Sequence, residues 1–262
     1  MKPKRIAIIT GAYGKIGRAI AEKIASQNNY RVVLVGRHES SLINTVETII
    51  SITNNNSVSY EVVDMSSKKS IQKLAKNWEG PLHVIVNNAA TTPRQRIDTK
   101  DGIEMQFATN VLGYMWMMKF MSLFMIGVDD ARIINVASYW AGGLDINDVE
   151  FKTRRYNNDT AYRQSKQADR MLSKAFSGLL FDNHITVNSC HPGDVNSKLS
   201  NNLGFGGNET PSQGAETPAW LALSDDVRGF TGAYFEHKHK VECRFSSNKE
   251  HVQKLYERCS RY

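Results

Sequence analysis

Apolar residues along this chain come in short dense runs, separated by longer stretches of mixed character. The runs, at residues 5–10, 31–36, 57–64, 82–87, 131–137 and 184–190, are rich in Val and Ile. The first shows no polar alternation: Ile6-Ala7-Ile8-Ile9 is apolar at consecutive positions, the pattern of a strand covered on both faces. The intervening stretches repeat at helical spacing. Ile16, Ile20, Ile24 and Ala25 form one stripe, and Leu42, Val46, Ile49 and Ile50 another, the period of an amphipathic helix. Six strands alternating with helices predict a single α/β domain over 1–262, a doubly wound parallel sheet with helices on both faces. A seventh strand is expected at 232–236, followed by a tail with a helical patch from Val252 to Leu255.

Three stretches fit neither period: 90–98, 138–159 and 192–213. Each follows the C-terminal end of a predicted strand, the edge where open parallel sheets bind ligands. A site assembled from loops is therefore expected there, with 138–159 and 192–213 as substrate loops. The first strand runs into Thr10-Gly11-Ala12-Tyr13-Gly14-Lys15-Ile16-Gly17 and then into a helix. Gly11 lets the chain turn, Gly14 clears space where a pyrophosphate would approach backbone N–H groups, and Gly17 lets helix and strand pack closely. The helix N-terminus supplies N–H donors and partial positive charge for the phosphates. A Rossmann fold of six to seven strands holding a dinucleotide is the expectation.

Twenty residues after Gly17 the second strand ends at Gly36-Arg37-His38. A site for NAD(H) wants a carboxylate here for the ribose 2′-OH. Gly36 has none, and Arg37 offers a planar cationic fork suited to a 2′-phosphate. With Lys15 as a second cation, the expected cofactor is NADP(H) in preference to NAD(H).

Composition narrows the picture without redirecting it. The formal charge of +7, from 33 Lys and Arg against 26 Asp and Glu, would suit a polyanion. The basic residues are dispersed, however, and the densest groups (Lys2, Lys4, Arg5; Arg154, Arg155) lack interleaved aromatics. A solvated surface is the reading, and no nucleic-acid partner is expected. Cys190, Cys243 and Cys259 are too few and too widely spaced for a disulfide framework or a zinc ribbon. Glu236, His237, His239 and Cys243 read as an exposed tail, so no metal is expected. The basic start Met1 to Arg5 precedes an apolar run too short for a signal peptide. Lys119 interrupts the greasiest stretch, Val111 to Ile126, which is too short to span a bilayer. A soluble, cytoplasmic protein without a transmembrane segment is expected.

Two further clusters stand out. Met105, Met115, Met117, Met118, Met121 and Met125, with Trp116 and Phe120, suggest a core helix, with a dimer face as the alternative. Gly204-Phe205-Gly206-Gly207 sits in the last loop and suits a mobile lid or a disordered turn.

Tyr162-Arg163-Gln164-Ser165-Lys166 places a phenol and an ammonium at i and i+4 on one helix face. A phenol near pKa 10 is a poor acid–base catalyst at neutral pH, and a neighbouring cation stabilises its phenolate. Together with the glycine turn, Asp64-Met65-Ser66, Asn87-Asn88-Ala89-Ala90, Asn110, Ser138 and Pro192-Gly193 in this order, the chain resembles the short-chain dehydrogenase/reductase family over nearly its whole length. Arg37, Tyr162-Arg163-Gln164-Ser165-Lys166-Gln167-Ala168, His191-Pro192-Gly193 and Gly214-Ala215-Glu216-Thr217-Pro218 look most like its retinol-dehydrogenase-like and WW-domain-oxidoreductase-like branch.

The resemblance implies an NADP(H)-dependent oxidoreductase interconverting an alcohol and an aldehyde or ketone. Tyr162 would be the general acid/base, and Lys166 would lower its pKa and bind the nicotinamide ribose. Ser138 would hold the reacting oxygen, and Asn110 a water relaying protons from Lys166. Gly11, Tyr13, Gly14, Lys15, Ile16 and Gly17 would cradle the phosphates. Asp64 and Met65 would meet the adenine, and Asn87 to Ala89 its ribose. Pro192, Gly193, Val195 and Ser197 would border the nicotinamide. Substrates of the branch are small and lipophilic, and the family often pairs as homodimers. The glycine spacing departs from the short members and matches the extended, nucleotide-sugar-modifying branch, yet only 71 residues (192–262) follow His191. Ala90 also replaces the usual glycine. A non-catalytic NADP(H) sensor is the alternative from another class, set against an intact Asn110, Ser138, Tyr162 and Lys166.

Overall fold

Strands and helices alternate as the apolar pattern predicts. The computed structural model describes residues 3–262, so Met1 and Lys2 of the basic start lie outside the described residues. The chain runs β1 (Arg5–Thr10), α1 (Lys15–Ala25), β2 (Tyr30–Gly36), α2 (Glu39–Thr53), β3 (Val58–Val62), α3 (Lys68–Asn77) and β4 (Val84–Asn87). A π-helical turn, Phe107–Leu112, leads into α4 (Gly113–Met121), then β5 (Arg132–Val136), the long α5 (Asn158–Leu179) and β6 (Thr186–Cys190). Next come α6 (Lys198–Asn202), α7 (Pro211–Gly214), α8 (Glu216–Leu223), β7 (Tyr234–Glu236), β8 (His239–Val241), α9 (Arg244–Ser247) and α10 (Lys249–Ser260).

The strands form one sheet in the order β3-β2-β1-β4-β5-β6-β7-β8. All neighbouring pairs from β3 to β7 are parallel, and β8 is antiparallel to β7. The sheet thus has eight strands where the apolar pattern predicts six to seven. Every residue of β8 is exposed, so it carries no apolar signal. It arises from a two-residue turn in which His237 and Lys238 both take positive φ (46° and 63°), the twist that suits a tight hairpin. His237 thus lies in the turn and His239 opens β8, and no cluster of potential metal ligands occurs among the described residues.

The unalternating runs follow from cover on both faces. Ile8 and Ile133 face one core with the Met-rich α4, α5 and α10, while their neighbours Ile9 and Ile134 face the other with α1 and α2. Successive side chains of a strand point to opposite faces, and here both faces are dry. Met115, Met117, Met118, Met121 and Met125 are all buried in the first core, where Val252, Leu255 and Cys259 of α10 join them. They fill a core, the first of the two readings of this cluster. In 192–213, expected to be irregular, α6 and α7 are set by capping boxes at Ser197/Ser200 and Thr210/Gln213, which satisfy helix-end groups that four- and five-residue helices could not otherwise shelter. Among the described residues no helix is long and apolar enough to cross a membrane.

Strand order decides where a ligand can lie. From β1 the chain steps outward to β2 and β3, then returns to β4 on the other side. The crevice at that reversal, beyond the carboxyl ends of the strands, is the binding edge of such sheets. The glycine turn, the loop after β4, Ser138 after β5 and His191 after β6 all open on it.

Candidate active site

The glycine turn is tied to the loop after β4. Thr10 Oγ1 accepts from the backbone N–H of Asn88 (2.9 Å) and Ala89 (3.0 Å), and Asn88 Nδ2 donates to the Thr10 carbonyl (2.9 Å). Gly11 has φ +65°, and a Cβ there would lie 2.8 Å from Ala89 Cα. A Cβ on Gly17 would strike the Gly11 carbonyl and the Asn88 amide, as expected of a position where helix meets turn. No side chain caps α1, so its first N–H groups are left without a capping acceptor.

The residues expected at the cofactor have protein partners of their own. The Tyr13 ring lies where any Cβ on Gly36 would be, a second reason for glycine beside the missing carboxylate. Arg37 is exposed and donates from Nε to His38 Nε2 (3.2 Å). Lys15 Nζ reaches across the crevice to the Asn196 carbonyl (2.8 Å). Lys15 and Arg37 thus make separate contacts and no common one. Asp64 Oδ1 accepts from the backbone N–H (2.9 Å) and hydroxyl (2.7 Å) of Ser66, and Met65 is buried in the core. Asn87 is fully buried and donates to Asn135 Oδ1 (2.8 Å), so its side chain braces the sheet. Ile16 and the buried Val195 both approach Gly214. Gly193 has φ +113° over Glu209, and Ser197 caps α6.

Tyr162 and Lys166 project from the first turns of α5, which Asn157 caps by accepting from Thr160 N (2.9 Å). Asp148 ties down the loop before this helix. Its carboxylate accepts from the backbone N–H of Lys152 (2.7 Å), Thr153 (3.2 Å) and Arg154 (3.0 Å) and from the Thr153 hydroxyl (2.8 Å). Burial alone would raise this carboxyl, but the hydrogen bonds prevail and hold it well below the usual carboxylate range. A depressed folded-state pKa contributes stability that is complete above the unfolded value and is lost as pH falls through that value toward the folded one. Urea resistance of the parent is thus expected to drop between about pH 4 and pH 2. Asp148→Asn should flatten that acid limb, measured by urea midpoints across the range.

Ser138, Tyr162, Lys166 and Asn110 come together, 6%, 8%, 2% and 0% exposed. Lys166 Nζ donates to the Val136 carbonyl (2.9 Å) and to Asp169 Oδ2 (2.9 Å), and lies 5.9 Å from the Tyr162 ring centre. Burial pushes the Tyr162 phenol well above its ordinary value. A hydrogen bond with Ser138 pulls it back, while the charges of Asp169 and Asp194 add to the rise. The lowering expected from Lys166 is not among the influences on this phenol. Asn110 sits in the π-helical turn, an irregularity frequent at functional sites. It accepts from Thr91 N (2.8 Å) and donates to the Thr91 carbonyl (3.1 Å) and to Ser165 Oγ (3.2 Å), tying the loop after β4 to α5. Trp140 and Phe205 stack with centres 4.1 Å apart, so the Gly-Phe-Gly-Gly loop rests on the loop that follows Ser138.

Several residues of the site escaped the sequence reading. Asp169 and Arg170 look like an ordinary charged helix face in sequence but are buried at 1% and 7% exposure. Arg170 donates to the Ser138 carbonyl and lies 3.4 Å from the Tyr234 ring centre. Tyr139 packs edge-on against His191 and donates to Asp194 (3.0 Å). Burial lowers His191 to about 4, so it is neutral at physiological pH. Only the Lys-x-x-Asp spacing within α5 could have signalled Asp169.

A family model described as short chain dehydrogenase matches residues 5–205. Human "Retinol dehydrogenase 13" is 28% identical over 99% of this chain and 84% of its own length. Human "Polyprenol dehydrogenase" is 27% identical over 97% of this chain and 84% of its own length. Among solved structures, the "Pseudomonas aeruginosa RhlG/NADP active-site complex" superposes with a TM-score of 0.70 at 22% identity, covering 90% of this chain and 95% of that one. That likeness is one of fold.

Proposed function

Since this chain belongs to the short chain dehydrogenase family, we propose that it interconverts a lipophilic alcohol with its aldehyde or ketone using NADP(H), with Tyr162 as general acid/base. The observation that carries the reading is the convergence of Ser138, Tyr162 and Lys166, all under 9% exposed, at the carboxyl edge of the sheet. A phenol beside a hydroxyl and an ammonium, shielded from water, is a constellation suited to proton transfer.

The residues present fit a dinucleotide. A side chain at Gly11 or Gly17 would fill the turn beneath the uncapped start of α1, and that start favours phosphate. Lys15 and Arg37 would meet the 2′-phosphate, with Gly36 and Tyr13 offering the ribose no carboxylate. When bound, the nicotinamide supplies or accepts the hydride. The protein's own part is proton transfer and orientation. In the reducing direction Tyr162 donates its O–H proton to the carbonyl oxygen, which Ser138 holds by a hydrogen bond. In the oxidising direction the phenolate takes the alcohol proton. Lys166, fixed by the Val136 carbonyl, stabilises that phenolate and would hold the nicotinamide ribose. Asn110 would anchor a water between Lys166 and solvent.

The aromatic wall of Trp140 and Phe205, together with relatives named for retinol and polyprenol, supports an apolar substrate. The test is a panel of aldehydes, ketones and alcohols, retinal and short polyprenals included, assayed with NADPH and NADP. Turnover of at least one apolar member is expected. Tight NADPH binding without turnover of any would replace this reading by a nucleotide-binding protein without chemistry.

A further inference from the structure

The face of α5 that carries Tyr162 and Lys166 carries a third ionisable group that the reaction above does not use. Asp169 lies one helical turn beyond Lys166, its side chain 0% exposed, with Oδ2 2.9 Å from Lys166 Nζ. Its second oxygen, Oδ1, is buried without a hydrogen-bond partner among the described residues. A buried carboxylate with an idle oxygen is costly, so packing alone does not account for it. Its nearest electrostatic partner belongs to the catalytic pair.

The other ions packed nearby, Arg170 on the Ser138 carbonyl and Glu236 3.9 Å from that guanidinium, pair with each other and leave Asp169 the partner of Lys166. Tyr114 of α4 lies with its ring centre 4.9 Å from Lys166 Nζ. Cys190 at the end of β6 feels the charges of Lys166 and Arg170, and Cys259 of α10 those of Arg258 and Asp169. Burial pushes both thiols well up, so neither is charged at neutral pH. Burial likewise keeps Tyr114 protonated. Asp194 also acts on Tyr162, but its carboxylate is half-exposed and accepts from Tyr139, so solvent screens it more.

We propose that Asp169 is a positioning residue that sets the proton affinity of Tyr162 through Lys166. It holds the ammonium against the Val136 carbonyl and cancels most of the positive charge that would otherwise stabilise the phenolate. A neutral Lys–Asp pair attracts a nearby negative charge far less than an isolated ammonium does. Tyr162 is thereby kept as the protonated acid to higher pH, the form that carbonyl reduction consumes. The electrostatics agree. Burial pushes the Asp169 carboxyl up to about 7 even beside Lys166, so it is ionised throughout the range in which the phenol titrates.

This inference rests on Tyr162 being the acid/base group, and its test is separable from that reading. Asp169→Asn keeps the shape and removes the charge. With tyrosine labelled by carbon-13 at Cζ, the Tyr162 signal, assigned by its loss in Tyr162→Phe, is followed against pH in protein without cofactor. The Asn variant is expected to ionise about one pH unit or more below the parent, the scale of one neighbouring charge. The pH dependence of kcat/KM should move the same way. Coincident curves in both measurements overturn the proposal, even if the melting temperature falls, since a merely structural Asp169 would move only the latter. Asp169→Ser carries the same measurement should the Asn variant fold poorly. Turnover surviving in Tyr162→Phe would sink the catalytic assignment instead, and leaves the titration of Asp169→Asn unaffected.

Discussion

Tyr162→Phe is expected to lower turnover about 10³-fold or more, with NADPH binding and thermal stability close to those of the parent. General acid–base transfer by a positioned side chain contributes about 10²- to 10⁴-fold, and here no second group stands ready to replace the phenol. His191, at the same sheet edge, is held neutral by burial and packs against Tyr139. Lys166 is committed to Val136 and Asp169. Removing the hydroxyl alone leaves the ring, 8% exposed, in its place, so the fold has little to lose. The checks are steady-state turnover with NADPH and the best substrate of the panel, and NADPH binding by fluorescence. Turnover within tenfold of the parent would end the acid/base assignment.

Arg37→Asp is expected to weaken NADPH about 100-fold and NADH by no more than a few-fold. Hydrogen bonds to charged groups are worth about 1.5–3 kcal/mol each. The new carboxylate would both repel a 2′-phosphate and accept from a 2′-OH. Arg37 is exposed, with one contact to its neighbour His38, so the substitution leaves the core alone. Binding isotherms for the two cofactors decide the matter. An equal loss for both would place the 2′-phosphate elsewhere, with Lys15 the next residue to change.

Much of this molecule could be read from local pattern. β1 spans Arg5–Thr10, as the apolar run predicts, because a strand buried on both faces writes its length directly in consecutive apolar residues. The glycine turn was legible for a similar reason. Its demands, a positive φ at Gly11 and a close approach at Gly17, are met by residue type within one turn of chain. Tyr162 and Lys166 were legible through helical spacing and through the company of motifs in a fixed order.

What local pattern could not supply were contacts between distant residues and the solvent they exclude. The hairpin of β8 has no apolar code, since its pairing with β7 is backbone work on an exposed edge. The contact of Lys15 with a carbonyl in the loop after β6 is one of these distant contacts. The methionine cluster already reads as a core helix, but that α10 packs into the same core has no local signal.

Asp169 shows the division most clearly. In sequence, Lys-x-x-Asp on a helix is an ordinary solvated pair. With α4, α10 and the sheet closed around α5 it becomes a dry ion pair beside the proposed acid/base residue. The chain by itself determined which elements form, where the dinucleotide turn lies and which side chains could do chemistry, because these depend on residue type over a few positions. Only the tertiary structure decided which charges are buried together, because burial is a property of everything packed around a residue, and burial is what sets the strength of a charge.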